Sequence, residues 1–219
     1  MNLRLRSKSA IRTVGILLAM TTSAFAGPPL ICHRIEIGQA KTLPLIDWNE
    51  HGTSGYNLKN LSRDTFAILD ANAPVLVRME TLRLATIYAR HSPAVAKELL
   101  TRLHARAHDS SGQSAALAWF DLGYMTEAYK QWMPQNSNPA AGLDGYAWVK
   151  KAISLFGQDD PAMEFAAALI TLSGPANEHK DHVRKSVAGA KSDPLLAQNL
   201  TSRFGDGIIA HALNPTREK

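Results

Sequence analysis

Three times in this chain a serine or aspartate, whose side chain can accept a hydrogen bond, stands directly before a proline: Ser92-Pro93, Asp160-Pro161 and Asp193-Pro194. A helix start favours an acceptor at its N-cap, where it takes up free backbone N–H groups. It also tolerates proline one residue later, where the missing N–H has no partner to lose. Each pair therefore marks the beginning of a helix. The spacing that follows agrees: from Pro93 to about Ala107, residues Ala96, Leu99, Leu100, Leu103 and Ala107 share one helical face.

The rest of the chain reads outward from these points. Asn57 caps a helix to about Ala71, Pro74 begins one to about His91, and about Gln113 to Met133 is a helix apolar around much of its circumference, as suits a central position. Pro134 to Gly142 is a loop. A fifth helix covers about Leu143 to Phe156 and ends at Gly157 as a C-cap. Pro161 opens a sixth to about Leu172, Glu178 a seventh to about Ala190, and Pro194 an eighth to about Phe204, with a last turn over Ile208 to Leu213. Ahead of them Ile31, His33, Ile35 and Ile37 alternate with Cys32, Arg34 and Glu36, the pattern of a short extended segment with its isoleucine face packed inward.

The expected fold is all-α, about eight helices in antiparallel pairs, as an irregular helical-repeat-like array or a compact bundle, with that extended segment laid against it. The expected organisation is a signal peptide over 1–26, an extended and loop segment over 27–56, and a helical domain over 57–219. Pro93, Pro161 and Pro194 are 68 and then 33 residues apart, near two units and one unit of the roughly 34-residue helix-pair repeat. Trp119-x-x-Leu122-Gly123 resembles the opening of the tetratricopeptide signature, and the resemblance implies stacked helix pairs.

The first residues carry an export pattern. Arg4, Arg6, Lys8 and Arg12 precede the apolar run Thr13 to Met20, and Ala24-Phe25-Ala26 is a small-x-small cleavage site, so cleavage is expected after Ala26. The run is shorter than the roughly 18 to 20 residues that span a bilayer, and no later stretch is long and apolar enough to do so. A periplasmic or secreted location follows. Of 24 Lys and Arg against 19 Asp and Glu, four cations and no acid lie in this segment, leaving 20 against 19 after cleavage. That near balance argues against nucleic acid or an anionic membrane as partner, since both require clustered cations. Cys32, the one cysteine, has no internal partner, and its functional outlet is a disulfide-linked dimer.

Chemistry and binding have four sets of candidates. Glu80, Asp121 and Glu127 lie in strongly apolar helices, where acids are seldom buried unpaired; they read as inter-helix ion pairs, or as a carboxylate pocket of raised pKa fit for acid–base work. His104 and His108, four residues apart on one helix face with Asp109 nearby, can share a transition metal, although Arg106 between them adds positive charge. In "EHKDHVRK", His179 and His182 beside Glu178 and Asp181 read as a solvated face. Trp119, Tyr124, Tyr129, Trp132, Tyr146 and Trp148 exceed what one face buries and offer an aromatic binding groove. Phosphate-binding, nucleophile-elbow, zinc-protease and paired-cysteine motifs are absent, and no cofactor is expected.

Helix-pair rhythm without a catalytic motif points to an exported, non-enzymatic binding or assembly protein of the cell envelope that holds a polypeptide partner on a helix-pair surface. The alternative is a small hydrolase or lyase acting on a cell-wall or extracellular polymer through Glu80, Asp121 or Glu127.

Overall fold

The computed structural model describes residues 27–45, 55–70, 72–157 and 160–213, the side chains of 208–213 excepted. The export segment and its cleavage site lie outside the described residues. Among those residues the chain is all-α with no strand, and its helices are α1 Leu61–Leu69, α2 Val75–Ala89, α3 Pro93–Asp109, α4 Gly112–Trp132, α5 Gly145–Phe156, α6 Pro161–Ile170, α7 Ala176–Gly189 and α8 Pro194–Leu213. The last is bent at Gly205, which has φ 74°.

The acceptor–proline pairs act as caps. Asp160 Oδ1 accepts from the Ala162 and Met163 N–H groups at 2.9 and 3.0 Å, Asp193 Oδ1 from Leu196 N–H at 3.0 Å, and Ser92 Oγ from Val95 N–H at 3.4 Å. Gly157 closes α5 in the left-handed region at φ 76°, a conformation that disfavours any side chain with a Cβ.

Neighbouring helices run antiparallel, as their contacts show. Along α4, Trp119 meets Trp148, Glu127 meets the Tyr146 N–H and Lys130 meets the Leu143 carbonyl, so rising numbers on one side meet falling numbers on the other. The same holds for α6 against α7, where Pro161 meets Gly189, Glu164 meets His182 and Ala168 meets His179. α2 and α4 instead run parallel, with Arg78 on Asp121 and Thr86 on Met125.

α4 is central, as its all-round apolarity predicts, and α2 shares that place. Every residue of α2 is buried, Arg78, Glu80 and Arg83 included. The charges conceal its position from a hydropathy reading, because they are satisfied by one another and by backbone rather than by water.

The N-terminal segment is extended only in part. A turn in which the Ile31 and Cys32 N–H groups donate to the Pro28 carbonyl at 3.0 Å precedes it. Ile31, Ile35 and Ile37 are buried as the alternation predicts, but the turn leaves His33 exposed with Cys32. Beyond it the backbone is held by side chains. Ile35 N–H donates to Glu80 at 2.9 Å, and Asn199 of α8 both accepts from the Glu36 N–H and donates to its carbonyl, each at 2.9 Å.

Gly123 sets the approach of α4 and α5. A Cβ there would lie 2.6 Å from the Gly145 carbonyl oxygen and 2.8 Å from the Val149 N, both backbone atoms that cannot swing aside. Alanine improves helix propensity by about 0.5–1 kcal/mol, but forcing the helices apart costs about 1–3 kcal/mol. Gly123→Ala is therefore expected to lower the urea midpoint; a raised midpoint would show that the two helices separate freely.

Candidate functional site

Alternating helix direction brings the starts of α2, α4, α6 and α8 and the ends of α1, α3 and α5 to one end of the fold. They enclose a cleft of about 960 Å³. Its walls are mainly apolar, among them Leu69, Val75, Leu76, Leu117, Phe156 and Leu195, with Asp70, Asp160 and Asp193 also lining it. No side chain caps the starts of α2 or α4, so their first N–H groups are free of side-chain acceptors at this end.

A buried charge knot organises the floor. Arg78 donates to Asp121 Oδ2 at 2.6 Å, to the Ala73 carbonyl at 2.8 Å and to the Leu69 carbonyl at 2.7 Å. Arg106, from α3, donates to the same Asp121 oxygen at 2.8 Å and lies 3.2 Å from Asp70. α1, α2, α3 and α4 thus meet in one network. Both arginines border the cleft, with their guanidinium groups directed at Asp121. With Asp121 and Asp70 balancing the two guanidinium groups, the charge left at the rim is that of Asp160 and Asp193, which also cap α6 and α8.

The three candidate acids are separately engaged. Burial raises the Asp121 carboxyl, to about 6, against the pull of Arg78 and Arg106, yet its side chain has no exposed surface through which to meet a substrate. Glu80 accepts from Arg83 Nε and from a second guanidinium nitrogen, both at 2.8 Å, as well as from Ile35 N–H. Glu127 accepts from Lys130 at 2.8 Å and from Tyr146 N–H at 3.0 Å, so it sits at the start of α5, where a helix dipole favours negative charge. Each acid holds elements together, and they do not converge on one cavity.

The six candidate aromatics disperse for a geometric reason: side chains along α4 advance about 100° per residue, so its rings leave in different directions. Tyr124 and Tyr129 are fully buried, the first stacked 5.8 Å from Phe120 and the second donating to the Ala96 carbonyl. Trp132 lies under the Arg90 guanidinium. Trp119 and Trp148 meet each other at 6.2 Å, and His104 and His108 close against them from α3.

The pair His179 and His182 is half-buried rather than solvated. His179 Nδ1 meets the Ala168 carbonyl at 3.0 Å; His182 Nδ1 meets the buried Glu164, while its Nε2 is 2.7 Å from the Tyr146 hydroxyl. Tyr146 also reaches Glu178 at 2.6 Å. The hydroxyl has one proton for two acceptors, so both contacts hold together only when His182 donates from Nε2. This network ties α5, α6 and α7. A sequence signal for it exists: His179, His182, Val183, Ser186 and Val187 fall at helical spacing and extend the valine stripe inward.

Sequence reasoning missed the cleft, although it identified Asp160 and Asp193 as caps. Their shared destination depends on the up-and-down order of eight helices. Compared with protein-family models, with curated proteins and with solved structures, the chain matches none.

Proposed function

We propose that this chain is an exported, non-enzymatic binding or assembly protein of the cell envelope, and that its cleft takes a polypeptide segment with apolar side chains flanked by lysine or arginine. The cleft is the observation that carries the reading. Apolar walls suit apolar side chains, and uncapped helix starts beside helix ends offer donors and acceptors to a peptide backbone. The charge left at the rim, Asp160 and Asp193, favours a cationic partner, because Arg78 and Arg106 are balanced by Asp121 and Asp70. The export pattern ending at Ala26 supports the envelope setting, and the tetratricopeptide resemblance around Trp119 and Gly123 is in keeping with a helical scaffold that binds polypeptide. A polymer hydrolase draws no support from Glu80, Asp121 and Glu127, each engaged in its own ion pair.

Two labelled peptides of equal apolarity, one carrying lysines and the other glutamates at the same positions, test the reading by fluorescence anisotropy. The lysine peptide is expected to bind, more weakly as salt rises, and to lose affinity by about tenfold or more when Ala162→Trp or Ser114→Trp fills the cleft. Equal binding of both peptides, or indifference to both fillings, would overturn the proposal.

A further inference from the structure

We propose that His104 and His108 form a surface site for a divalent transition metal, with Cu(II) as the preferred ion. The inference is independent of the cleft and rests on four rings. Both histidines lie on α3, one turn apart, with ring centroids 4.4 Å apart and planes inclined by 38°. Both are exposed, and neither makes a hydrogen bond or ion pair among the described residues. Two imidazoles this close on one rigid helix can share one metal ion.

Their surroundings hold them in place. Trp148 meets His104 edge-on at 6.3 Å and 73°, Trp119 meets His108 at 5.0 Å and 69°, and the two indoles lie against each other. Indoles from α4 and α5 thus back both imidazoles, restricting their rotamers before any metal arrives and reducing the entropy lost on chelation.

The charge objection visible in the sequence is removed by the fold. Arg106, two residues from each histidine, leaves the helix on the other side, where its guanidinium is bound to Asp121 and Asp70. Lys151 is a cation on the adjoining indole, its ammonium 3.4 Å from the Trp119 ring centroid. No group of three or more metal-ligating side chains occurs among the described residues, so Asp109 does not complete a closed site. The two imidazoles leave the other coordination positions to water or to a donor from another molecule. For a nitrogen pair of this kind the divalent series places Cu(II) above Ni(II) and Zn(II).

The test uses the chain beginning at Gly27 with Cys32→Ser, which removes the thiol that would reduce Cu(II). Copper(II) chloride is titrated at about pH 7.5, where free imidazole is mostly neutral, with calorimetry and tryptophan emission as readouts. One equivalent is expected to bind and to quench emission, since Trp119 and Trp148 adjoin the ion. His104→Gln and His108→Gln should each weaken binding by about a hundredfold, the chelate being reduced to a single ligand, and leave the metal-free chain folded, since each removes only an edge-on ring contact at the surface. Zn(II) should bind the same site more weakly. The proposal fails if no equivalent binds at micromolar copper, if binding survives both substitutions, or if it is lost instead on replacing the exposed His33 and His91.

Discussion

Replacing Asp121 by alanine is expected to lower folding stability by about 3–5 kcal/mol, the range seen when one partner of a buried ion pair is removed. The residue is small, but the loss is not confined to its own contacts. Arg78, with 1% of its side chain exposed, would keep its charge and its two carbonyl contacts while losing its counter-ion, and Arg106 would retain the exposed Asp70 and the Leu69 carbonyl. Chemical denaturation with urea measures the effect. A loss below about 1 kcal/mol, typical of an exposed pair, would mean that the knot is solvated and does not organise the cleft floor. The double replacement Arg78→Met with Asp121→Leu should recover part of the loss, because it removes the buried uncompensated charge of Arg78, while Arg106 still lacks Asp121 and the Ala73 carbonyl loses its donor.

Glu80→Ala is expected to act on a different part of the molecule with a similar magnitude, about 3–5 kcal/mol. One carboxylate here serves two purposes. It neutralises Arg83, which is almost wholly buried, and it accepts from the Ile35 N–H of the N-terminal segment. Arg83 in turn donates to the Ile31 carbonyl at 2.9 Å. Without Glu80 the middle of the segment loses its anchor, while the Asn199 contacts to Glu36 and the Tyr88 contact to the Pro44 carbonyl remain. Limited proteolysis should therefore open first between Ile31 and Ile35. Glu80→Gln keeps an acceptor for Ile35 but not the charge for Arg83, and should fall between the wild type and the alanine variant. An unaltered cleavage pattern in Glu80→Ala would show that the segment is held by its isoleucines alone.

Both predictions concern residues that the sequence marks as unusual without saying how. An acid in an apolar helix must have a partner, and Arg83 three residues after Glu80 can be named as that partner from spacing alone. The partners of Asp121 cannot, since Arg78 and Arg106 are 43 and 15 residues away. Periodicity along one helix says which residues share a face, whereas the meeting of faces depends on packing that no local pattern encodes. His182 shows the same division. Its place beside Val183 signals an inward direction, but its partners Glu164 and Tyr146 belong to helices whose docking fixes the pairing.

By itself the sequence determined the all-α class, the number and approximate limits of the helices, the acceptor–proline starts, the glycine end of α5 and the buried isoleucines of the N-terminal segment. These follow from local physics: satisfaction of helix-terminal N–H groups, the allowed φ of proline and glycine, and a helical period of apolar side chains. The tertiary structure alone decided that even-numbered helices begin where odd-numbered ones end, which creates the cleft. It likewise decided that the aromatic residues of α4 are mostly sealed inside, that the acids are closed into separate ion pairs, and that Arg106 turns away from His104 and His108. Each of these depends on which helix lies beside which, and that choice is made by burial summed over the whole chain.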